Sequence, residues 1–222
     1  MATIASRLQA VKKRIDKRAR IPVALLAVSK TWPAEAIREA FDAGQKAFGE
    51  SYVQEALEKM KALSDLDLEW HFIGPIQSNK AKSIAEHFNW VHSVDREKIA
   101  KKLSESRSGK PPMQVCIQVN ISGESSKSGA APDEVLHLAQ VISGLKNLRL
   151  RGLMAIPEPT EDVMLQRARF AELRRLKDEL CEQGYDLDTL SMGMSDDMES
   201  AILEGSTMVR VGSAIFGSRK TI

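Results

Sequence analysis

The chain has 222 residues, and its 32 lysines and arginines against 30 aspartates and glutamates leave a net charge of +2. Charges of both signs are interspersed, so there is no basic stripe of the kind a nucleic-acid footprint needs. Its two cysteines, Cys116 and Cys181, lie far apart, as reduced thiols do in a cytoplasmic chain, and no run approaches the ~20 apolar residues that span a bilayer, so the expected location is the cytoplasm.

Residues 3–19 place Ile4, Leu8, Val11 and Ile15 on one helical face, with Lys12, Lys13, Arg14, Lys17 and Arg18 elsewhere. That spacing predicts a packing helix with a solvated basic face. Strand and helix patterns then alternate. Apolar runs predict strands near 23–29, 45–48, 69–73, 90–94, 113–121, 148–155, 188–192 and 207–211. Helical patterns fall near 33–43, 51–63, 77–88, 95–106, 132–143, 161–183 and 196–204. Such alternation is the pattern of a single α/β domain over residues 1–222, a (β/α)8 TIM barrel with an extra N-terminal helix. The runs Val23–Val28 and Val115–Val119 are nearly all apolar, as parallel strands covered on both faces are. The short second and seventh strands keep a doubly wound open sheet as the alternative. A loop is expected over Asn120–Gly129, and another over Lys110–Met113.

Most residues suited to chemistry stand where predicted strands end. Lys30 closes the run Ile21–Ser29; desolvation there lowers an ammonium's pKa, and a neutral amine condenses with aldehydes. Phe48–Ser51, His71–Lys80, Asn120, Met154–Pro157, Ser191–Asp197 and Met208–Gly217 end the other strands, and in a barrel these segments meet on one rim. The small polar segment Ser191–Asp197 opens a helix, where free N–H groups favour a phosphate, although Ser195 or Asp196 equally suits a simple N-cap. Gly212–Gly217 follows the next strand, and loops after strands seven and eight are the usual phosphate site of barrel enzymes. Arg210 alternates with Val209 and Val211; facing inward, it needs an acceptor, either a pyridine nitrogen or a carboxylate such as Glu50. The four histidines show no metal-ligand spacing, and His71 reads as a satisfied core histidine or a rim contact.

In combination, Ala27–Thr31, Phe48–Glu50, Trp70–Pro75 with Gln77–Lys80, Ser126–Gly129, Arg151–Pro157, Ser191–Met198 and Val209–Gly217 closely resemble the pyridoxal phosphate homeostasis protein family. The resemblance implies a barrel like the N-terminal domain of alanine racemase, and pyridoxal 5′-phosphate (PLP) held as an aldimine on Lys30. It also implies phosphate contacts from Ser191, Ser195, Gly212 and Ser213, a ring-nitrogen contact from Arg210, and a role for Lys127 in loading or transfer. Family members often read Gly-Glu-Asn where this chain has Gly49-Glu50-Ser51, and serine lacks the amide.

One cofactor supports different activities. A carrier would hold PLP in the cell and release it to apo PLP-dependent enzymes, without turnover. An amino-acid racemase needs a proton donor on each face, and alanine racemases bring the second, a tyrosine, from a further domain. The sequence ends soon after the eighth strand, and of Tyr52 and Tyr185 the former is the better candidate. A Schiff-base aldolase would use the same lysine and phosphate loops without a chromophore. The carrier is the preferred reading, as a monomer, with Lys80 and Lys127 taken as surface lysines unless a second PLP site exists.

Overall fold

The structure is a computed structural model that describes residues 2–123 and 128–218. The chain begins with α1 (Ile4–Arg18), β1 (Ala24–Val28), α2 (Ala34–Asp42), β2 (Ala47–Glu50), α3 (Val53–Ala62) and β3 (Glu69–Phe72). It continues through α4 (Ala81–His87), β4 (Trp90–Val94), α5 (Glu97–Ser106), β5 (Met113–Gln118), a 3-10 turn (Pro132–Glu134) and α6 (Val135–Ser143). The last elements are β6 (Leu148–Met154), α7 (Val163–Glu182), β7 (Thr189–Ser191), α8 (Met198–Leu203), β8 (Met208–Val211) and α9 (Ser213–Phe216).

All neighbouring strands run parallel, in the order β1 to β8. The sheet closes because β8 returns to β1, with Leu26 beside Arg210 and Ala27 beside Val211. That pairing rules out the open sheet and gives the (β/α)8 barrel expected from the sequence.

Strand side chains alternate between two faces. One set, including Ala27, Phe48, Phe72, Val91, Ile117, Leu153 and Val209, joins Ile37, Ala56, Ile84, Leu103, Ile142, Phe170 and Ala201 of the helices in one continuous apolar layer. The alternate positions differ in kind. Trp90, Cys116 and Met154 form a small separate cluster, and His71, His92, Ser191 and Arg210 are buried polar residues.

The N-terminal helix forms as its spacing predicts. Thr3 Oγ1 accepts from Ser6 N at its start, and Ile4, Leu8, Val11 and Ile15 are buried. The second strand begins at Ala47 rather than residue 45, because the Gln45 side chain is buried as a connector, donating to Leu25 O at 2.7 Å and Ala47 O at 2.8 Å. The fifth strand stops at Gln118, three residues early, since Val119 turns to bridge Ala130. The helix expected from residue 77 begins at Ala81, after a turn closed by Lys80 N on Gln77 O at 2.9 Å. The four-residue α9 was hidden in what reads as a glycine-bounded loop.

Candidate functional site at the barrel mouth

Lys30 lies two residues past the end of β1 and is partly buried. The backbone on both sides of it is clamped. Ser29 Oγ donates to Glu50 Oε1 at 2.6 Å, and Lys59 Nζ donates to Ser29 O at 2.8 Å and to Glu50 Oε1 at 2.7 Å. Glu55 ties the other side, accepting from Thr31 N at 2.6 Å and pairing with Lys59. Thr31 is the one non-glycine residue among those described with a positive φ, 69°. A β-branched residue held there costs about 1–3 kcal/mol, so the clamp sets the direction in which Lys30 leaves the strand. Burial raises the Glu50 carboxyl above its ordinary value, while Lys59 and Ser29 pull it back.

Lys30 lines a cavity of ≈ 510 Å³ together with Ile73, Ile156, Ser195, Arg210, Gly212 and Ser213. The cavity therefore joins the end of β1 to the loops after β7 and β8. These loops touch each other: Ser213 Oγ donates to Ser195 Oγ at 3.1 Å, and Ala214 N lies 3.5 Å from the same oxygen. The first N–H groups of α9 have no acceptor within the helix, as at any helix start. Gly193 shapes the first loop with a φ of +94°, and a Cβ there would sit 2.6 Å from Ala201 Cβ. Neither Ser195 nor Asp196 caps α8; Asp197 precedes it, and its Oδ1 accepts from Met194 N at 2.6 Å, closing the loop.

Two arginines of α1 support these loops from behind. Arg7 Nε donates to Ile215 O at 2.7 Å, and Arg14 donates to Ser195 O at 3.4 Å while pairing with Glu199. Sequence reasoning missed both. Arg14 reads as part of a solvated basic face, and only the closed barrel brings α1 against α9 and α8.

Arg210 forms the cavity's inner wall and is 3% exposed. Its NH1 donates to Ser191 O at 2.6 Å and to Ser191 Oγ at 2.8 Å, and its NH2 to Ala155 O at 2.9 Å. Among the described residues, no acceptor meets its Nε. Glu50, the carboxylate suggested for it by sequence, is taken by Lys59 and Ser29, and no described carboxylate forms an ion pair with Arg210. Burial brings the guanidinium pKa down to about 10, with Asp197 opposing the shift. Ser191 is fully buried and not on the cavity wall, so it departs from the phosphate contact implied for it; its hydroxyl meets Arg210 and, at 2.8 Å, His92 Nδ1.

The remaining candidates separate clearly. Lys80 is exposed before α4 and off the cavity wall, and Lys127 lies outside the described residues. Tyr52 is 56% exposed and also off the wall, and Tyr185 sits in the loop entering β7, at the opposite end of the barrel. Ser51 backs onto Gly74, where a Cβ would come within 2.3 Å of Ser51 O. His71 is a satisfied core histidine, bonded at both ring nitrogens. Among the described residues, no group of three or more His, Cys, Asp and Glu side chains is gathered for a metal ion.

Comparison with known proteins fits this geometry. Over residues 1–220 the chain matches the alanine racemase N-terminal domain family. The pyridoxal phosphate homeostasis protein of Pseudomonas aeruginosa is 59% identical over 226 aligned residues, covering 99% of this chain and 97% of that protein. This chain belongs to the pyridoxal phosphate homeostasis protein family. The Escherichia coli K12 member is 50% identical over 229 aligned residues, covering 99% of this chain and 98% of its own. Among solved structures, PipY from Synechococcus elongatus with PLP bound superposes with a TM-score of 0.87 at 40% identity, over 97% of this chain and all of that one (100%). Alanine racemase from Corynebacterium glutamicum shares the fold, with a TM-score of 0.76 at 17% identity over 98% of this chain and 61% of its own. The family suggested by the sequence motifs is the family found.

Proposed function

We propose that this chain binds PLP in the mouth of the barrel and acts as a carrier in its homeostasis. The observation that carries this reading is the meeting of Lys30, Arg210, Ser195 and Ser213 on one cavity of ≈ 510 Å³. When bound, the cofactor supplies an aldehyde that condenses with an amine, losing water, and a visible chromophore. Lys30 Nζ is the amine in this reading, aimed by the clamp on its neighbours. Ser195, Gly212 and Ser213, with the first N–H groups of α9, hold the phosphate. Ile73 and Ile156 supply apolar walls for a planar ring. Arg210 donates to the pyridine nitrogen, and because a guanidinium only donates, that nitrogen stays unprotonated and the ring is a weak electron sink. The donor set therefore fits PLP: one amine, one donor-only cation and a turn rich in N–H and O–H groups.

The same chemistry favours carriage over racemisation. A racemase needs a second acid on the face opposite the lysine, and neither tyrosine lies on the cavity wall. We take the carrier as a monomer in the cytoplasm that hands PLP to apo-enzymes. Its two cysteines are unpaired, which suits a reducing compartment. The test is a pair of rates on the PLP-loaded protein. Transfer to an apo-enzyme should outrun free release, and alanine in deuterium oxide should keep its α-proton. Equal transfer and release rates would remove the carrier, and α-proton exchange at enzymatic rates would restore the racemase.

A further inference from the structure

Five residues from four strands form a continuous hydrogen-bonded line through the barrel. Arg210 NH1 lies 2.8 Å from Ser191 Oγ, which lies 2.8 Å from His92 Nδ1. His92 Nε2 is 2.9 Å from His71 Nδ1, and His71 Nε2 is 2.6 Å from Glu69 Oε1. The line starts on the cavity wall and ends at the first residue of β3, at the opposite mouth, where Glu69 is about half exposed. His71, His92 and Ser191 are each fully buried.

The two ends fix the direction of every bond between them. A guanidinium only donates and a carboxylate only accepts. Arg210 therefore donates to Ser191, whose own proton is left for His92 Nδ1. His92 must then carry its proton on Nε2 and give it to His71 Nδ1, and His71 must carry its proton on Nε2 and give it to Glu69. This arrangement satisfies every polar atom between the two ends, with both imidazoles neutral. Reversing any single bond leaves two donors facing each other or a buried nitrogen without a partner. The surroundings agree. Burial lowers the pKa of both histidines, and the His71 hydrogen bond with help from Arg151 keeps Glu69 ionised. His71 stacks on Trp90 at 5.3 Å with ring planes 7° apart, which blocks rotation of the ring.

We propose that His92 is a positioning residue for Arg210, the middle of an oriented relay that starts at Glu69 and holds the guanidinium at the floor of the cofactor cavity. The inference rests on the PLP reading for its purpose, and on the hydrogen bonds alone for its existence. A proton added at the Glu69 end would reverse the line with the rings in place, putting each imidazole proton on Nδ1 and swinging the Ser191 hydroxyl proton away from His92. The relay therefore links the far mouth of the barrel to the donor that faces the cofactor ring.

The test begins on cofactor-free protein labelled with ¹⁵N at histidine. Long-range ¹H–¹⁵N spectra should show His71 and His92 each as a single Nε2–H tautomer. Glu69→Ala, at a half-exposed site, should turn both into mixtures, as should Ser191→Ala for His92, with Ser191→Thr restoring the single form. Titration with PLP should then shift the His92 resonances in the wild type. PLP should bind Ser191→Ala about two- to tenfold more weakly, the scale of one lost hydrogen bond. Glu69→Ala should also move the bound chromophore's absorption maximum. An Nδ1–H form of either histidine in the wild type, or tautomers untouched by Glu69→Ala, would overturn the relay. Unmoved His92 resonances on saturation with PLP would overturn its link to the cofactor. Failure to bind PLP at all would instead defeat the proposed function and leave the tautomer result standing.

Discussion

The two faces of the barrel strands solve different problems. The outer face meets the helices through Phe48, Phe72, Ile117, Val209 and their helical partners, an almost wholly apolar layer. The inner face gives up that apolar continuity to hold His71, His92, Ser191 and Arg210, with a small cluster of Trp90, Cys116 and Met154 among them. Burial in this interior is strong enough to push the Cys116 thiol up to about 12. Apolar contact is non-directional and tolerates sliding, whereas a buried polar line is stable only when every bond points one way. The outer layer thus supplies stability, and the interior fixes where one cation sits.

Substitutions that cut one region and spare the other would sharpen this division. The largest loss is expected in the outer layer: Phe170→Ala, at a fully buried site on α7, should cost about 3–5 kcal/mol in denaturant unfolding. PLP binding below the transition should survive it. Lys59→Met comes next, because it leaves the Glu50 carboxylate buried without its cation, at about 3 kcal/mol at neutral pH. This loss should shrink on acidification, as Glu50 becomes free to protonate, and Glu50→Gln combined with Lys59→Met should recover much of it. Gly193→Ala should cost about 1–3 kcal/mol through its positive φ and the clash with Ala201, and should weaken PLP binding more than Lys59→Met does.

The smallest effect is the pH dependence of the interior. His71 and His92 have folded-state pKa values below the ordinary 6.5. The unfolded chain therefore takes up protons at these sites first as pH falls. Their contribution to stability is complete above the unfolded value and is lost as pH drops through 6.5 toward the folded values. Thermal unfolding followed from pH 7.5 to 5.5 should show this decline, and His71→Phe with His92→Phe should flatten it. An unchanged slope in the double variant would place the acid sensitivity elsewhere.

Much of the outer layer was legible in the sequence, because it repeats. Alternating strand and helix periods give the barrel, and Ile4, Leu8, Val11 and Ile15 mark the buried face of α1. Lys30 and the loops around Ser195 and Ser213 were legible because strand ends are easy to find and barrel topology sends them to one rim. The interior was not. His71 and His92 become neighbours when β3 pairs with β4, and Ser191 of β7 reaches His92 only across the interior of the closed sheet, and no spacing along the chain encodes that. The role suggested for Glu50 failed for a related reason: its partner Lys59 comes from the following helix and looks like any other surface lysine in sequence. The short α9 was obscured because glycines flank it and four residues carry no helical period.

The central claim is that the Lys30 nitrogen holds PLP at the mouth of the barrel. Borohydride reduction of the PLP-loaded protein, followed by peptide mass spectrometry, tests it directly by freezing the cofactor onto whichever amine holds it. The expected result is a pyridoxyl-phosphate adduct on Lys30, lost in Lys30→Ala along with the visible absorption band. An adduct confined to Lys80 or another lysine, with Lys30 unmodified and the band intact in Lys30→Ala, would contradict it.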